Sequence, residues 1–234
     1  MNAPHAEPGH GRVADRPLLG RLAAYHQIAA QAGEAGQTAI SSASLAELLG
    51  IDASLVRKDM AALGIAGRPK VGYDLAEVLA HLEQRLGLTV RNDAILIGCG
   101  HLGTALAGSP GFSKYGLKLV GVFDADPAKV GVSLAGLSVL PMEKCRSVLE
   151  IFRVRIAILA VPAAAAQGLT DWLVERGVRA IWNFAPIVLG VPPGVVVRDE
   201  NLALGLARLL HNLKELGPRG LDVPAPEPPG EAQR

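Results

Sequence analysis

One glycine-rich segment constrains the fold more than any other part of this sequence. It reads Gly98-Cys99-Gly100-His101-Leu102-Gly103 and stands between an apolar run typical of a buried strand, Ala94–Ile97, and a helical stretch over Leu102–Ala107. In the pattern G-x-G-x-x-G the first glycine permits a tight turn, the second lets the backbone approach a pyrophosphate, and the third lets the helix pack on the strand. The helix N-terminus offers free N–H groups and a positive dipole end. The segment therefore predicts a phosphate-binding strand–loop–helix unit.

An acidic residue ends the next predicted strand. Leu119–Phe123 reads as a buried strand, and Asp124 follows it, at about the twenty-residue distance from the loop that dinucleotide-binding folds use. A carboxylate there can accept hydrogen bonds from both ribose hydroxyls and would repel the extra phosphate of NADP. The alternative is a plain glycine turn with a surface aspartate. The order of strand, loop, helix, strand and acid favours NAD(H) as the cofactor.

Cys99 and His101 lie inside the loop and are potential metal ligands. Two ligands do not make a zinc site, however. Side chains at such loop positions ordinarily fill space, so we predict no metal and no catalytic role for either residue.

Beyond Arg91, short apolar runs alternate with helical stretches, which indicates a parallel sheet with crossover helices. The predicted strands are Ala94–Ile97, Leu119–Phe123, Ile156–Val161, Ala180–Trp182 and Val195–Val197. The predicted helices between them are Leu102–Ala107, Met142–Ile151 and Ala163–Arg176. The fold class is therefore α/β, with a Rossmann doubly wound parallel sheet over residues 88–200.

The preceding part, residues 17–87, has helical periodicity interrupted by glycines. Ser44 with Glu47 predicts a capping box that starts a short second helix, and Asp52 can cap a third helix over Ala53–Leu63. A hairpin rich in glycine and proline follows over residues 64–72. These features fit a winged helix-turn-helix domain. A small helical bundle with an ordinary charged face is the alternative.

In a winged helix the N-terminal half of the third helix enters the DNA major groove. Here that half carries Ser54, Arg57 and Lys58, and the predicted wing carries Arg68 and Lys70. An arginine can bind a guanine edge with two hydrogen bonds, and a lysine can reach a base or a phosphate.

The overall charge and composition exclude several classes of protein. The formal net charge is +1, so DNA binding depends on this local basic cluster, in which Asp59 is the one acid. The two cysteines give no disulfide framework, which favours a reducing compartment. The longest apolar run, Ile156–Ala166, is too short to span a bilayer. We expect a soluble, cytoplasmic protein with no membrane contact, with disordered Pro- and Gly-rich tails at 1–16 and 217–234.

Several motifs in both halves resemble the Rex family of bacterial repressors that sense the NADH/NAD ratio. In the first half these are Ile40-Ser41-Ser42, Val56-Arg57-Lys58-Asp59 and Val71-Gly72-Tyr73. In the second half they are Gly100-His101-Leu102-Gly103, Pro110-Gly111-Phe112, Phe123-Asp124-Ala125-Asp126-Pro127, Val161-Pro162-Ala163 and Asn183-Phe184-Ala185-Pro186. The resemblance runs from about Leu18 to Leu213.

The resemblance implies a homodimer that binds a palindromic operator in double-stranded DNA and releases it when NADH rises. The C-terminal helix, residues 201–216, would be exchanged between subunits. The implied NAD(H) site comprises Gly98, Cys99, Gly100, His101, Leu102, Gly103, Asp124, Val161, Pro162, Ala163, Asn183, Phe184 and Ala185. The implied DNA-binding residues are Ser41, Ser42, Ser54, Arg57, Lys58, Arg68 and Lys70.

The sequence departs from the family at positions that couple redox state to DNA binding. Where the family commonly has a tyrosine, an aspartate and an arginine, this chain has Ser109, Asn201 and Gln27. Pro69 also alters the wing, so operator preference is expected to differ. One alternative is therefore a Rex-like DNA binder with altered or weakened redox discrimination. A second is an NAD-dependent dehydrogenase with a helical accessory domain, but no general acid or base is found at the strand ends.

Overall fold

The computed structural model describes residues 17–109 and 111–215. The predicted tails at 1–16 and 217–234, together with Pro110 and residue 216, lie outside the described residues. In this part of the chain no helix is long and apolar enough to cross a membrane.

The N-terminal domain is a small helical unit closed by a two-stranded sheet. Its elements are α1 (Pro17–Glu34), β1 (Ala39–Ile40), α2 (Ser42–Leu49), α3 (Ala53–Ala62), β2 (Tyr73–Asp74) and α4 (Leu75–Leu86). The strands pair antiparallel, with Ile40 opposite Tyr73. One apolar cluster fills the space between the helices, and its large, fully buried members are Leu22, Tyr25, Leu45, Met60 and Leu82.

Side-chain caps fix where these helices begin. Asp52 accepts a hydrogen bond from the N–H of Ser54 at the start of α3, and Asp74 accepts one from Glu77 at the start of α4. The prediction of a cap at Ser44 is wrong. The cap of α2 is Ser41, whose hydroxyl accepts from the N–H of Ser44. The helix begins earlier because Ser41 has the extended backbone that an N-cap requires.

The second domain is a seven-stranded sheet with helices on both faces. Its strands are β3 (Asn92–Ile97), β4 (Leu117–Asp124), β5 (Ser133–Leu134), β6 (Leu137–Pro141), β7 (Ile156–Leu159), β8 (Ala180–Asn183) and β9 (Val196–Asp199). Its helices are α5 (His101–Ala107), α6 (Gly111–Lys114), α7 (Cys145–Phe152) and α8 (Ala163–Glu175), and a 3-10 turn, Met142–Lys144, precedes α7.

The strand order is β5-β6-β4-β3-β7-β8-β9, and every neighbouring pair except β5–β6 is parallel. From β3 the chain first builds one side of the sheet through β4 and β6, and then returns to β7 on the other side of β3. Reversals of this kind create the crevice where open α/β sheets bind ligands. The predicted Rossmann sheet is confirmed. The β5–β6 hairpin and α6 did not follow from the sequence patterns.

Alternate residues of the central strands face opposite layers. Ile95 and Ile97 pack with α7 and α8, whereas Leu96 faces the layer that contains Ala107 of α5 and Phe112 of α6. The second layer is thinner, because α5 and α6 are short. The last helix, α9 (Leu202–Glu215), stands apart from both cores. Its exposed leucines are Leu204, Leu206, Leu209, Leu210 and Leu213.

Candidate nucleotide cleft and nucleic-acid interface

A cleft of about 790 Å³ opens at the carboxyl ends of β3 and β7, where the strand order reverses. This volume lies within the range of small-molecule and cofactor sites. The lining residues are Ile97, Gly98, Gly100, His101, Leu102, Asp124, Ala125, Asp126, Lys129, Met142, Ala160, Val161, Pro162, Ala165 and Leu169.

The three positions of the loop are occupied by glycine for different structural reasons. Gly98 has φ +97°, and a Cβ there would overlap the carbonyl group of Ala160. A Cβ at Gly103 would overlap the carbonyl oxygen of Gly98. At Gly100, by contrast, an added Cβ would meet no protein atom. Packing within the chain therefore explains Gly98 and Gly103, whereas Gly100 leaves room on the wall of the cleft for a ligand to approach the backbone.

Asp124 stands at the end of β4 and is 8% exposed. Its Oδ2 accepts hydrogen bonds from the N–H of Cys99 at 2.6 Å and from the Lys129 ammonium at 3.2 Å, and its Oδ1 accepts one from the N–H of Asp126 at 2.8 Å. Burial opposes its ionisation, but these donors outweigh burial and hold the pKa of Asp124 below its usual range. The cleft thus contains a fixed carboxylate where a ribose hydroxyl donor would be recognised.

Cys99 faces away from the cleft. Its thiol donates to the carbonyl oxygen of Phe123 at 3.5 Å, and burial beside Asp124 raises its pKa to about 11. A neutral, buried thiol is a poor nucleophile and a poor metal ligand. Among residues 17–109 and 111–215, no group of three or more His, Cys, Asp or Glu side chains is placed to hold a metal ion.

The structure brings some of the predicted nucleotide-site residues together and separates others. Those on the cleft are Gly98, Gly100, His101, Leu102, Asp124, Val161 and Pro162. Gly103 lies behind the loop, and Cys99, Ala163, Asn183, Phe184 and Ala185 are not on the lining.

Asn183 is fully buried, and its polar atoms form hydrogen bonds with other groups of the chain. It donates to Ile187 O and Asp199 Oδ1, each at 2.8 Å, and accepts from the N–H of Ala185 at 3.0 Å. In this structure it orders the loop after β8.

Lys129 is a cleft residue that the sequence patterns did not single out. Its ammonium lies 3.2 Å from Asp124 and 3.9 Å from Asp126, and these carboxylates raise the pKa of Lys129. The run Asp124-Ala125-Asp126-Pro127-Ala128-Lys129 was the available signal, because a turn after the strand folds the lysine back onto the first carboxylate.

A second groove, of about 390 Å³, lies between α2, α3 and the wing. It brings together five of the residues that the sequence assigned to DNA binding. These are Ser41, Ser42, Arg57, Arg68 and Lys70. Ser54 and Lys58 are outside this groove but exposed on α3. Arg57 and Lys58 are thus exposed on α3 beside a hairpin with two basic residues, a cluster of positive charge that is typical of nucleic-acid-binding proteins.

The wing is a tight hairpin closed by two hydrogen bonds between Arg68 and Gly72. The N–H of Arg68 donates to Gly72 O at 2.7 Å, and the N–H of Gly72 donates back to Arg68 O at 2.9 Å. Pro69 has no N–H group to donate, but it lies in the turn, where neither of these two hydrogen bonds requires one. Lys70, at φ 63°, is in the left-handed region, which a side chain adopts at some energetic cost. Gly72 packs so closely on the Ile40 carbonyl that a Cβ would displace it.

Asp59, the single acid in the basic segment, does not lie on the exposed face of α3. It is 6% exposed and is bound by Arg21 and Tyr25 of α1. The Arg21 guanidinium compensates its charge, so the exposed surface of α3 is more basic than the sequence count indicates.

Comparisons with known proteins match both domains. Residues 90–187 match the family model described as "CoA binding domain", and residues 16–61 match the one described as "Putative DNA-binding protein N-terminus".

The "Redox-sensing transcriptional repressor Rex" of Carboxydothermus hydrogenoformans is 40% identical over 196 residues, which cover 84% of this chain and 94% of the relative. The chain belongs to the Rex family. The Rex protein of Bacteroides fragilis is 36% identical over 84% of this chain and 90% of its own length. These relatives are repressors, which confirms the interpretation as a repressor over that of a dehydrogenase.

Solved structures of a Rex-family repressor, RSP, share the architecture of both domains. RSP in complex with β-NAD⁺ and operator DNA superposes with a TM-score of 0.79 at 33% identity, covering 87% of this chain and 94% of RSP. RSP in complex with β-NADH gives a TM-score of 0.77 at 32% identity.

The three departures from the Rex pattern fall in different places. Gln27 is exposed on α1. Ser109 lines a separate cavity of about 590 Å³ with Arg91 and Lys118. Asn201 caps α9, because its Oδ1 accepts from the N–H groups of Ala203 and Leu204 at 3.0 and 3.2 Å. Asparagine therefore keeps the capping role that an aspartate would have there, but without the charge.

Proposed function

We propose that this chain is a redox-responsive transcriptional repressor that binds operator DNA through α3 and the wing and holds NAD(H) as a sensed ligand. One observation carries the proposal. A basic, exposed recognition surface and a Rossmann cleft with a fixed carboxylate occur in one chain that is similar, over both domains, to a repressor solved with NAD⁺ and operator DNA. Such a protein would act in the cytoplasm, where the NADH/NAD ratio is set.

The residues present fit a dinucleotide. The glycine loop and the start of α5 would hold the pyrophosphate, and Asp124 would accept the adenosine ribose hydroxyls. Asn183, Phe184 and Ala185 remain proposed neighbours of the nicotinamide half through the family resemblance. The bound dinucleotide would alter DNA affinity and would dissociate chemically unchanged.

The proposed partner contact is a homodimer through α9. The five leucines that α9 exposes are each between 43 and 64% accessible in the single chain, and burying them is worth about 1 kcal/mol or more each. The thin layer over the sheet also leaves Phe112, Trp182 and Phe184 only partly buried. A second copy that contributes α9 would cover apolar surface of this kind and would match a palindromic operator by its twofold symmetry.

DNA affinity measured in three nucleotide states tests the proposal. A palindromic duplex enriched from a random-sequence library by the full chain is titrated by fluorescence anisotropy without nucleotide, with NAD⁺ and with NADH. We expect sequence-specific binding that NADH weakens more than NAD⁺ does. Absence of specific binding in all three states would overturn the proposal. Equal effects of NADH and NAD⁺ would instead favour the alternative of a DNA binder with altered or weakened redox discrimination, which Ser109, Gln27 and Asn201 suggest.

Variants of the recognition helix locate the interface. Arg57→Ala or Lys58→Ala should weaken DNA binding by about 1–3 kcal/mol and leave nucleotide affinity unchanged. The matched control is Arg85→Ala, which removes an exposed cation from the last turn of α4.

A further inference from the structure

A buried histidine stands between the two domains and is not accounted for by DNA or nucleotide binding. His26 lies on α1 and is 8% exposed. Its ring centroid is 5.7 Å from that of Tyr115, with the planes inclined by 53°. Tyr115 follows α6 in the nucleotide domain. The contact therefore joins the DNA-binding domain to the Rossmann domain.

A carboxylate faces the same ring from a third element. His26 Nε2 is 3.6 Å from Glu83 Oε1 on α4. Its other ring nitrogen, Nδ1, is buried and has no hydrogen-bond partner among the described residues. We name His26, Glu83 and Tyr115 the interdomain seam. A leucine or phenylalanine would fill this space without an unpaired polar atom, so packing alone does not explain an imidazole here.

The nucleotide domain side of the seam is connected to the loop after β8 by packed aromatic rings. The N–H of Tyr115 bonds to the carbonyl groups of Gly111 and Phe112 in α6. Phe112 packs on Trp182 at 5.5 Å between ring centroids, and Trp182 packs on Phe184 at 5.1 Å. A shift of the loop that contains Phe184 would therefore move aromatic rings that are in direct contact with α6. Tyr115, which follows α6, would transmit this movement to His26.

We propose that His26 is a positioning residue through which the nucleotide state sets the orientation of the DNA-binding domain, and that its protonation strengthens this link. The proposal rests on the proposed function as a nucleotide-responsive repressor. An imidazolium at this place would form an ion pair with Glu83 and lie within cation–π distance of Tyr115. Neutral imidazole offers Glu83 only a weak, long contact.

Among the charged side chains around His26, Glu83 is the one that would form an ion pair with the protonated ring. On its own helix the nearby ionisable side chains, Arg21 and Tyr25, are both engaged with Asp59. Glu83 faces the ring from α4, and Tyr115 faces it from the nucleotide domain.

The test uses the full chain and compares DNA dissociation constants with NADH and with NAD⁺ at pH 6, 7 and 8. For the unmodified chain we expect the ratio of the two constants to rise at least about threefold from pH 8 to pH 6, a difference of about 0.7 kcal/mol. His26→Gln should flatten this profile and reduce the ratio, while nucleotide affinity at pH 8 stays within twofold. Tyr115→Ala should act like His26→Gln, whereas Tyr115→Phe, which keeps the ring, should not.

His81→Gln is the matched control, because His81 is a partly buried histidine on α4 whose Nδ1 lies 2.9 Å from the Glu77 carbonyl oxygen. A profile for His26→Gln that equals those of the unmodified chain and His81→Gln would overturn the proposal.

A second measurement needs no DNA and separates this proposal from the proposed function. Calorimetry in buffers of different ionisation enthalpy gives the number of protons taken up when NADH or NAD⁺ binds. Because coupling between sites is reciprocal, the two numbers should differ at pH 7 and become equal in His26→Gln. Failure of DNA binding alone would overturn the proposed function. Equal proton uptake for both nucleotides in the unmodified chain would overturn the role of His26.

Discussion

Arg21 on α1 and Asp59 on α3 form a two-point ion pair. Arg21 Nε lies 2.7 Å from Asp59 Oδ2, and Arg21 Nη2 lies 3.0 Å from Oδ1. The Tyr25 hydroxyl donates to the same Oδ2 at 2.9 Å. Asp59 follows Arg57 and Lys58 directly in the chain, so this cluster fixes the rotation of α3 and directs the two cations outward.

Asp59→Asn is expected to destabilise the N-terminal domain. The amide keeps the size of the side chain but cannot accept two hydrogen bonds from Arg21 as a carboxylate does. Hydrogen bonds to charged groups contribute more than neutral ones, and we expect a loss of about 2 kcal/mol in the free energy of unfolding. Urea denaturation measures it. Glu47→Gln, which neutralises an exposed acid on α2, is the control, and an equal loss in both variants would contradict the role of the pair.

The same cluster predicts how stability depends on pH. The hydrogen bond from Arg21 is the largest cause that holds the pKa of Asp59 below its ordinary value, and burial opposes it. A lowered pKa stabilises the fold above the ordinary value, about pH 4, and this stabilisation is lost as pH falls through the folded-state value. At the alkaline end, burial and the hydrogen bond to Asp59 raise the pKa of Tyr25 to about 12. That contribution is full below about pH 10 and is lost as pH rises through about 12.

Denaturation of the unmodified chain and of Asp59→Asn between about pH 2 and 7 checks the acid limb. The difference in stability between the two proteins should shrink as the pH falls below about 4. A difference that stays constant over this range would show that the Asp59 charge does not contribute.

Local patterns were sufficient for much of this architecture. The glycine loop, the cap at Asp52, and the alternation of strands with helices are each encoded within a few residues of one another, and the structure has them at the predicted positions. The start of α2 was misplaced because Ser41 and Ser44 are both good caps, and backbone conformation decides between them. The strands β1 and β2 are two residues long, too short for a periodic signal.

Local sequence patterns do not predict contacts between residues that are distant in the chain. Asp59 reads as a surface acid in the sequence, and only the fold brings Arg21, 38 positions away, onto it. Lys129 reaches Asp124 because the chain turns after β4. His26 resembles any polar residue of an amphipathic helix until the second domain supplies Tyr115. Long-range pairing of this kind determines charge balance at both candidate sites.

Introduction of a charge into the apolar stripe of α9 is expected to prevent dimer formation. Leu209 is 64% exposed in the single chain, so Leu209→Glu leaves the folded subunit intact and places a carboxylate in the proposed interface. Sedimentation should show a dimer for the unmodified chain and a monomer for the variant, with operator affinity reduced at least tenfold because one half-site is lost. His211→Gln on the same helix is the control. A dimer that survives Leu209→Glu would exclude α9 as the interface.

The arrangement of Asp124 and Lys129 predicts that the cleft prefers NAD⁺ to NADP⁺. Asp124 would accept the ribose hydroxyls and, at the same time, neutralise the cation that could attract a 2′-phosphate. In Asp124→Asn the charge-assisted bonds to ribose are lost, at about 1.5–3 kcal/mol, and Lys129 is released. We expect NAD⁺ affinity to fall and NADP⁺ affinity to rise, so that the ratio of the two dissociation constants changes by about a hundredfold. Calorimetric titration with each nucleotide measures this ratio.

Lys129→Met in the Asp124→Asn background separates the two effects. If Lys129 holds the 2′-phosphate, the double variant should lose the gain in NADP⁺ affinity while its NAD⁺ affinity stays at the level of Asp124→Asn. Asp171→Asn, on α8 and bonded to Gln167, is a control away from the cleft and should change neither constant. Unaltered NAD⁺ binding by Asp124→Asn would show that the charge of this carboxylate does not hold the ribose, because the variant removes that charge from the cleft.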